Sequence, residues 1–350
     1  LEFRRVLFRS KNMKPNIFNY ATSELTNDAM ICWMVDWANS KHEIYKNLSR
    51  EILRLFTDNE NLDVESVNIK KQYKNIDILM EVNDSEVIVI EDKVNTSSHS
   101  NQLEKYKEII DNEEAYKNYK KHYIYYKVGN ECLYNGVEQA GYTRVSREAI
   151  LNIIKKYRDL ENNLLNDYIY YLESIEKPSN MYKEEDDINK WCWKTWEGYY
   201  NHLQLTDVTK DGYWHYVSNP RGGFLAFIWN CEEYKDIKDG KEINYYIYPQ
   251  IESNSGNNDG EKTKISFKLE CKDPAYRKEL RGCVYERLEE LLKEYVPVDN
   301  LKKLKFRNGL HMTVIEINNI NTRTELDAAI KFSTECLGKI KCQLTEGENI

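Results

Sequence analysis

Two runs of β-branched and apolar residues, 76–82 (IDILMEV) and 86–94 (EVIVIEDKV), are separated only by Asn83-Asp84-Ser85. That pattern predicts an antiparallel hairpin closed by turn chemistry. With a three-residue loop Val82 faces Glu86, and the same register sets Asp77 opposite Glu91. A two-residue loop would slip every pairing by one. Alternation puts Lys93 on the face of Glu91 and Asp92 on the other. Ahead of the hairpin, 22–39 reads as a helix capped by Thr22 or Ser23, with Leu25, Ala29, Cys32, Trp33 and Trp37 inward. A second helix spans 42–56, with Ile44, Leu48, Ile52 and Phe56 at period four, and 64–73 reads as a strand. After the hairpin, His99, Gln102, Leu103, Tyr106 and Ile110 recur at helical spacing behind the cap candidates Ser97 and Ser98. Strands at 122–128 and 142–145 and a helix at 146–157 complete this half.

The second half is again mixed. It has a Trp-bearing helix at 188–205 and strands at 223–229, 243–252 and 262–272, with 254–260 (NSGNNDG) as a loop. Asp273 and Pro274 open a helix whose buried stripe is Tyr276, Leu280, Val284, Leu288, Leu291 and Leu292. The stretch 304–317 is strand-like around Asn308-Gly309, and Thr322 with Glu325 forms a capping box for a last helix through Leu337. The expected organisation is an α/β domain at 13–177, a polar linker at 178–187 and an α+β domain at 188–350. Residues 1–12, with the arginine-rich LEFRRVLFRS ahead of Met13, read as a vector or sequencing remnant outside the fold.

The hairpin carries the chemistry. Two opposed carboxylates, Asp77 and Glu91, repel unless one is protonated or a cation lies between them. Charged groups ending an apolar run are seldom buried without such a partner. A hard divalent ion such as Mg²⁺, with Mn²⁺ as substitute, takes oxygen ligands of this kind and keeps several waters for substrate phosphates. Lys93 beside it can orient or deprotonate a water, or meet phosphate charge. The alternative is a surface hairpin with a salt bridge, worth roughly 0–1 kcal/mol.

Asp77 followed by Glu91-Asp92-Lys93 resembles the PD-(D/E)XK nuclease superfamily, and Gln102 with Tyr106 resembles the Q-x-x-x-Y helix found after E-x-K in several of its branches. Ile76 stands where the family name has proline. The resemblance implies a restriction-endonuclease-like core, a mixed sheet flanked by helices. It implies Asp77, Glu91 and the Asp92 carbonyl as metal ligands, Lys93 as the catalytic lysine, and Gln102 and Tyr106 lining the site. It also implies a first-helix acid, Glu24, turned toward the metal; the plainer reading is that Glu24 favours the helix N-terminus. The implied activity is Mg²⁺-dependent hydrolysis of DNA, as an endonuclease of bacterial genome maintenance or defence. Alternatives are a nuclease on RNA or on single-stranded or branched DNA, and a catalytically silent module that binds a protein. A two-fold dimer would suit double-strand cutting.

Charge opposes a broad nucleic-acid footprint, since the chain carries −8 and residues 11–177 hold 22 basic against 28 acidic side chains. Lys262, Lys264, Lys268 and Lys272, with Lys302, Lys303, Lys305 and Arg307, either track phosphates or form the solvated side of a sheet. Trp191, Trp193 and Trp196 and Tyr245, Tyr246 and Tyr248 are expected in a core rather than stacked on bases. His99 either assists catalysis or starts its helix. The eight cysteines show no CxxC pair, which argues against zinc or a disulfide framework and for a reducing cytoplasm. No apolar run is long enough to predict a membrane span.

Overall fold

The computed structural model describes residues 15–94, 101–132, 135–209, 211–219, 223–238, 241–253 and 262–346. The chain forms two compact units, Leu1–Glu176 and Lys177–Ile350.

In the first unit, helices α1 (Glu24–Asp36) and α2 (Glu43–Thr57) precede strands β1 (Val67–Tyr73), β2 (Ile76–Val82) and β3 (Glu86–Lys93). Then come α3 (Gln102–Asp111), β4 (Lys120–Lys127), the short α4 (Asn135–Gln139), β5 (Thr143–Ser146), α5 (Arg147–Ile154) and α6 (Asn163–Asn180). The sheet order is β1-β2-β3-β4-β5, antiparallel through β3 and parallel from β3 to β5. This mixed sheet is flanked by helices. Ile78, Met80, Ile88, Ile90 and Tyr126 pack into the cluster that holds Ile31 and Val35 of α1, Leu48 and Ile52 of α2 and Leu172 of α6. Leu79, Val87, Val89 and Tyr125 pack on the other side with Leu103, Tyr106 and Ile110 of α3.

The hairpin has the expected register, Val82 against Glu86 and Ile78 against Ile90. Its loop works because Asn83 and Asp84 both take φ near +50°, a conformation their short polar side chains tolerate. Asn83 also accepts from the Glu65 and Ser66 amides and donates to the Asp63 carbonyl, tying the turn to the entry of β1.

Helix α1 is rotated from the expected face. Its buried residues are Asn27, Asp28, Met30, Ile31, Met34 and Val35, whereas Leu25 is 58% exposed and Ala29 also faces solvent. Two polar residues take the core side because polar partners await them there, as described below. Ile44 of α2 is likewise exposed, and Leu53 joins Leu48, Ile52 and Phe56 inside.

The second unit is a separate antiparallel sheet with helices. After α7 (Trp193–Leu203) come β6 (Tyr213–Val217), β7 (Phe224–Ile228), β8 (Glu232–Lys238), β9 (Lys241–Glu252), β10 (Lys264–Cys271), α8 (Arg277–Leu292), β11 (Leu301–Lys303), β12 (His311–Ile317) and α9 (Arg323–Glu346). The order is β11-β12-β10-β9-β7-β6, with β8 also on β9. Trp191, Trp196, Tyr199, Phe227, Tyr245, Phe267, Leu288 and Leu326 share its core. The capping box forms, Glu325 N–H donating to Thr322 Oγ1 at 3.2 Å and Thr322 N–H to Glu325 Oε2 at 3.1 Å.

Three expectations change here. Residues 178–187 are folded rather than a plain linker, with the end of α6, a 3₁₀ turn at Met181–Lys183 and a bridge from Asp187 to Thr322. Asp273 accepts from the Ala275 amide in a turn ahead of α8, which starts only at Arg277. Lys264 and Lys268 are not a solvated stripe. Lys264 pairs with Glu316 at 2.6 Å and Glu252 at 3.3 Å, and Lys268 with Glu252 at 2.7 Å.

Candidate active site

β3 is buried along nearly its whole length because it is flanked by strands on both edges and helices on both faces. Its last three residues are therefore charged groups inside the protein: Glu91 and Asp92 are 0% exposed and Lys93 6%. A surface hairpin with a screened salt bridge is excluded by that burial. Alternation sends Glu91 and Lys93 to the α3 side and Asp92 to the α1 side.

On the α3 side, the backbone ladder between β2 and β3 ends at Ile78 and Ile90. One step further the Asp77 carboxylate takes over, accepting the Asp92 amide N–H on Oδ2 at 3.1 Å. Gln72 donates to its other oxygen at 3.3 Å. Lys93 Nζ donates to Glu91 Oε1, while Glu91 Oε2 is buried with no hydrogen-bond partner among the described residues. Burial, and then the Asp77 charge, push the Glu91 carboxyl up to about 7 against the pull of Lys93. A lysine would normally lose basicity on such burial; hydrogen bonding to Glu91 and the charges of Glu91, Asp77 and Glu24 raise Lys93 instead.

α3 supplies the wall. Gln102 Nε2 donates to Tyr106 Oη at 3.0 Å, one helical turn apart. Burial raises the Tyr106 phenol, with Glu91 and Asp77 adding to it. Asp77, Glu91, Lys93, Gln102 and Tyr106 are thus brought together. Glu24, first residue of α1 behind the Ser23 cap, is within electrostatic reach of Lys93, Asp28 and Asp92. Ser97, Ser98 and His99 lie outside the described residues.

The structure adds residues that pattern reading missed. β4 runs parallel to β3 with Lys127 beside Lys93 and Tyr125 beside Glu91, so a second buried lysine shares the face of the first. Lys127 lies 3.9 Å from Glu131, which accepts from Tyr125 Oη at 2.8 Å. Burial lowers the Lys127 ammonium, with Lys93 adding and Glu131 and Glu24 opposing. The available signal was the same one that marked Lys93, a lysine ending an apolar strand.

On the α1 side, Asp92 Oδ1 accepts from Asn27 Nδ2 at 2.8 Å, Asn27 Oδ1 accepts from Tyr168 Oη at 2.7 Å, and Tyr168 meets Tyr126 at 3.2 Å. Asp28, 1% exposed, faces this group, and among the described residues neither of its oxygens nor Asp92 Oδ2 has a hydrogen-bond partner. Burial raises both carboxyls, Asp28 to about 7 with help from Asp77, and Asp92 well above its usual value with help from Asp28. A proton held between the two would supply the hydrogen bond each lacks. This network explains the rotation of α1 and locks Glu24's helix to the end of β3. Asn27→Ala removes the donor to Asp92 Oδ1 and the acceptor of the Tyr168 hydroxyl, which keeps Tyr126. It is expected to cost about 1–3 kcal/mol of stability, read from urea denaturation.

Among the described residues no three His, Cys, Asp or Glu side chains are grouped to hold a metal ion. Two carboxylates with an unpartnered buried oxygen match instead a cation that keeps most of its waters.

A family model described as the PD-(D/E)XK nuclease superfamily matches residues 15–196. The chain belongs to the PD-(D/E)XK nuclease superfamily. The match covers all of the mixed sheet and runs on to Trp196 of α7. No curated protein and no solved structure matches the chain. Membership in a nuclease superfamily implies phosphodiesterase chemistry on a nucleic acid. Among the described residues no helix is long and apolar enough to cross a membrane.

Proposed function

We propose that this PD-(D/E)XK protein is a Mg²⁺-dependent endonuclease on double-stranded DNA, with Mn²⁺ as an alternative metal. The observation that carries the reading is the fully buried Glu91 carboxylate, one oxygen on Lys93 and the other unpartnered, across from Asp77. Burying Glu91 beside a second carboxylate is costly unless cations offset the charge. Asp77, Glu91 and the Asp92 carbonyl would hold the ion, which when bound polarises phosphate oxygens and makes water more acidic.

The chain's own groups do the rest. The Lys93 ammonium, fixed on Glu91, orients the attacking water and offsets the negative charge that develops on the phosphate. Lys127 adds a second positive charge on the same face to meet the phosphate. Gln102 and Tyr106 wall the site on the α3 side and limit access of bulk water. Glu24 holds a further water or ion from the α1 side. Cys32, Cys192, Cys231, Cys271, Cys283 and Cys336 are unbridged thiols, which supports a cytoplasmic protein. Genome maintenance or defence against foreign DNA fits such an activity, and double-strand cutting would pair two copies.

Purified protein is expected to nick or linearise supercoiled plasmid with Mg²⁺ or Mn²⁺ and not with EDTA. A matched panel of duplex DNA, single-stranded DNA and RNA should show preference for the duplex. Cleavage confined to RNA would replace the substrate, and metal-independent cleavage would overturn the assignment.

A further inference from the structure

In the second unit, edge strand β11 follows β12 for only three pairs, from Leu301 with Ile317 to Lys303 with Ile315. The chain then leaves the sheet, and a cleft of about 600 Å³ opens over Met312 and Thr313. Arg281 of α8 holds it open, donating to the Leu304 carbonyl at 2.7 Å on one wall and the Thr313 carbonyl at 2.9 Å on the other. The lining carries five Lys or Arg side chains, Lys264, Arg281, Lys302, Lys305 and Arg307, against one carboxylate, Glu316. In a chain of net charge −8 that is a local reversal of sign.

The charges divide by role. Lys264 is matched by Glu316 and Glu252, and Arg281 shapes the cleft. Lys302, Lys305 and Arg307 are exposed on its rim, and among the described residues none is within ion-pair distance of a carboxylate. Exposed cations concentrated at a concave site attract anions, and guanidinium and ammonium groups together suit phosphate oxygens.

We propose that this cleft binds the phosphodiester backbone of nucleic acid through Lys302, Lys305 and Arg307, giving the second unit a substrate-holding role. The proposal rests on the nuclease reading for its choice of polyanion, and its test does not require cleavage. The full-length protein, with EDTA present, is titrated into a short fluorescein-labelled DNA duplex and an RNA duplex, followed by anisotropy over a range of salt. The triple variant Lys302→Ala/Lys305→Ala/Arg307→Ala is compared with Lys235→Ala/Lys278→Ala/Lys331→Ala, which removes equal charge elsewhere in the same unit. The cleft variant should bind at least about tenfold more weakly at 0.1 M salt. Its log–log salt slope should be shallower by about 2.7, roughly 0.9 for each lost phosphate contact. The control variant should resemble wild type.

If wild type binds neither duplex, or both triple variants lose affinity equally, or neither does, the proposal is overturned. Binding that depends on the cleft in a protein that never cuts would keep the cleft and discard the nuclease reading. Metal-dependent cutting with binding unchanged in the cleft variant would do the reverse.

Discussion

Lys93→Met is expected to lower the rate of metal-dependent cleavage by about 10²–10³, the usual worth of one positioned donor to charge that develops in the transition state. Methionine keeps the aliphatic bulk of a side chain only 6% exposed, so the fold should persist. The ammonium lost also donates a hydrogen bond to Glu91. Without it the Glu91 carboxyl, already near 7, rises further, and metal affinity at neutral pH falls. The two consequences separate with pH. Raising the pH from 7 to 9 ionises Glu91 and restores metal binding in the variant, followed by calorimetry, while cleavage stays low because no ammonium attends the water. Glu91→Gln should behave differently, losing metal affinity and cleavage at every pH. A Lys93→Met protein that nicks plasmid at the wild-type rate would remove Lys93 from the chemistry.

The parts legible in the sequence were those fixed by neighbours in the chain. Asn83 and Asp84 accept positive φ, so the loop length and the register from Val82–Glu86 to Ile78–Ile90 follow from a local pattern. Gln102 and Tyr106 meet because they are four residues apart on one helix. What escaped depended on distant partners. Asn27 and Asp28 look like solvent positions of an amphipathic helix, and only Asp92 and Tyr168, 65 and 141 residues from Asn27, make them core. Lys127 joins Lys93 through a parallel pairing across α3, which no turn residue announces. β8, EEYKDIK, carries five charges in seven positions and none of the alternation that marks a half-buried strand. The basic cleft exists because β11 leaves β12 after three pairs, an irregularity invisible in a run of lysines.

Metal-free protein is expected to lose stability as pH rises from about 5 to 8, the reverse of ordinary acid denaturation. Glu91 and Asp28 each stand near 7 in the fold, from usual values of 4.5 and 3.8, chiefly through burial and then through the charge of Asp77. Asp92 is raised as well, by burial and then by Asp28. Groups raised above their unfolded values bind protons more tightly in the folded state. Their stabilisation is fully present below the unfolded pKa and lost as pH climbs through the folded one, a window from about 4 to 7. At about 1.4 kcal/mol per unit, each of Glu91 and Asp28 accounts for roughly 3–5 kcal/mol at most. The two are not additive, since both include Asp77. A divalent cation between Asp77 and Glu91 replaces the proton on Glu91, so Mg²⁺ should stabilise the protein far more at pH 8 than at pH 5. Asp28→Asn removes a charge the ion does not neutralise directly, and it should add roughly 2–3 kcal/mol at pH 8 while changing little at pH 5. Urea midpoints of the wild type and Asp28→Asn at both pH values, with Mg²⁺ and with EDTA, resolve the two acids. Midpoints indifferent to pH in EDTA would mean that the buried carboxyls ionise without penalty, and the physical case for a cation at this site would go with them.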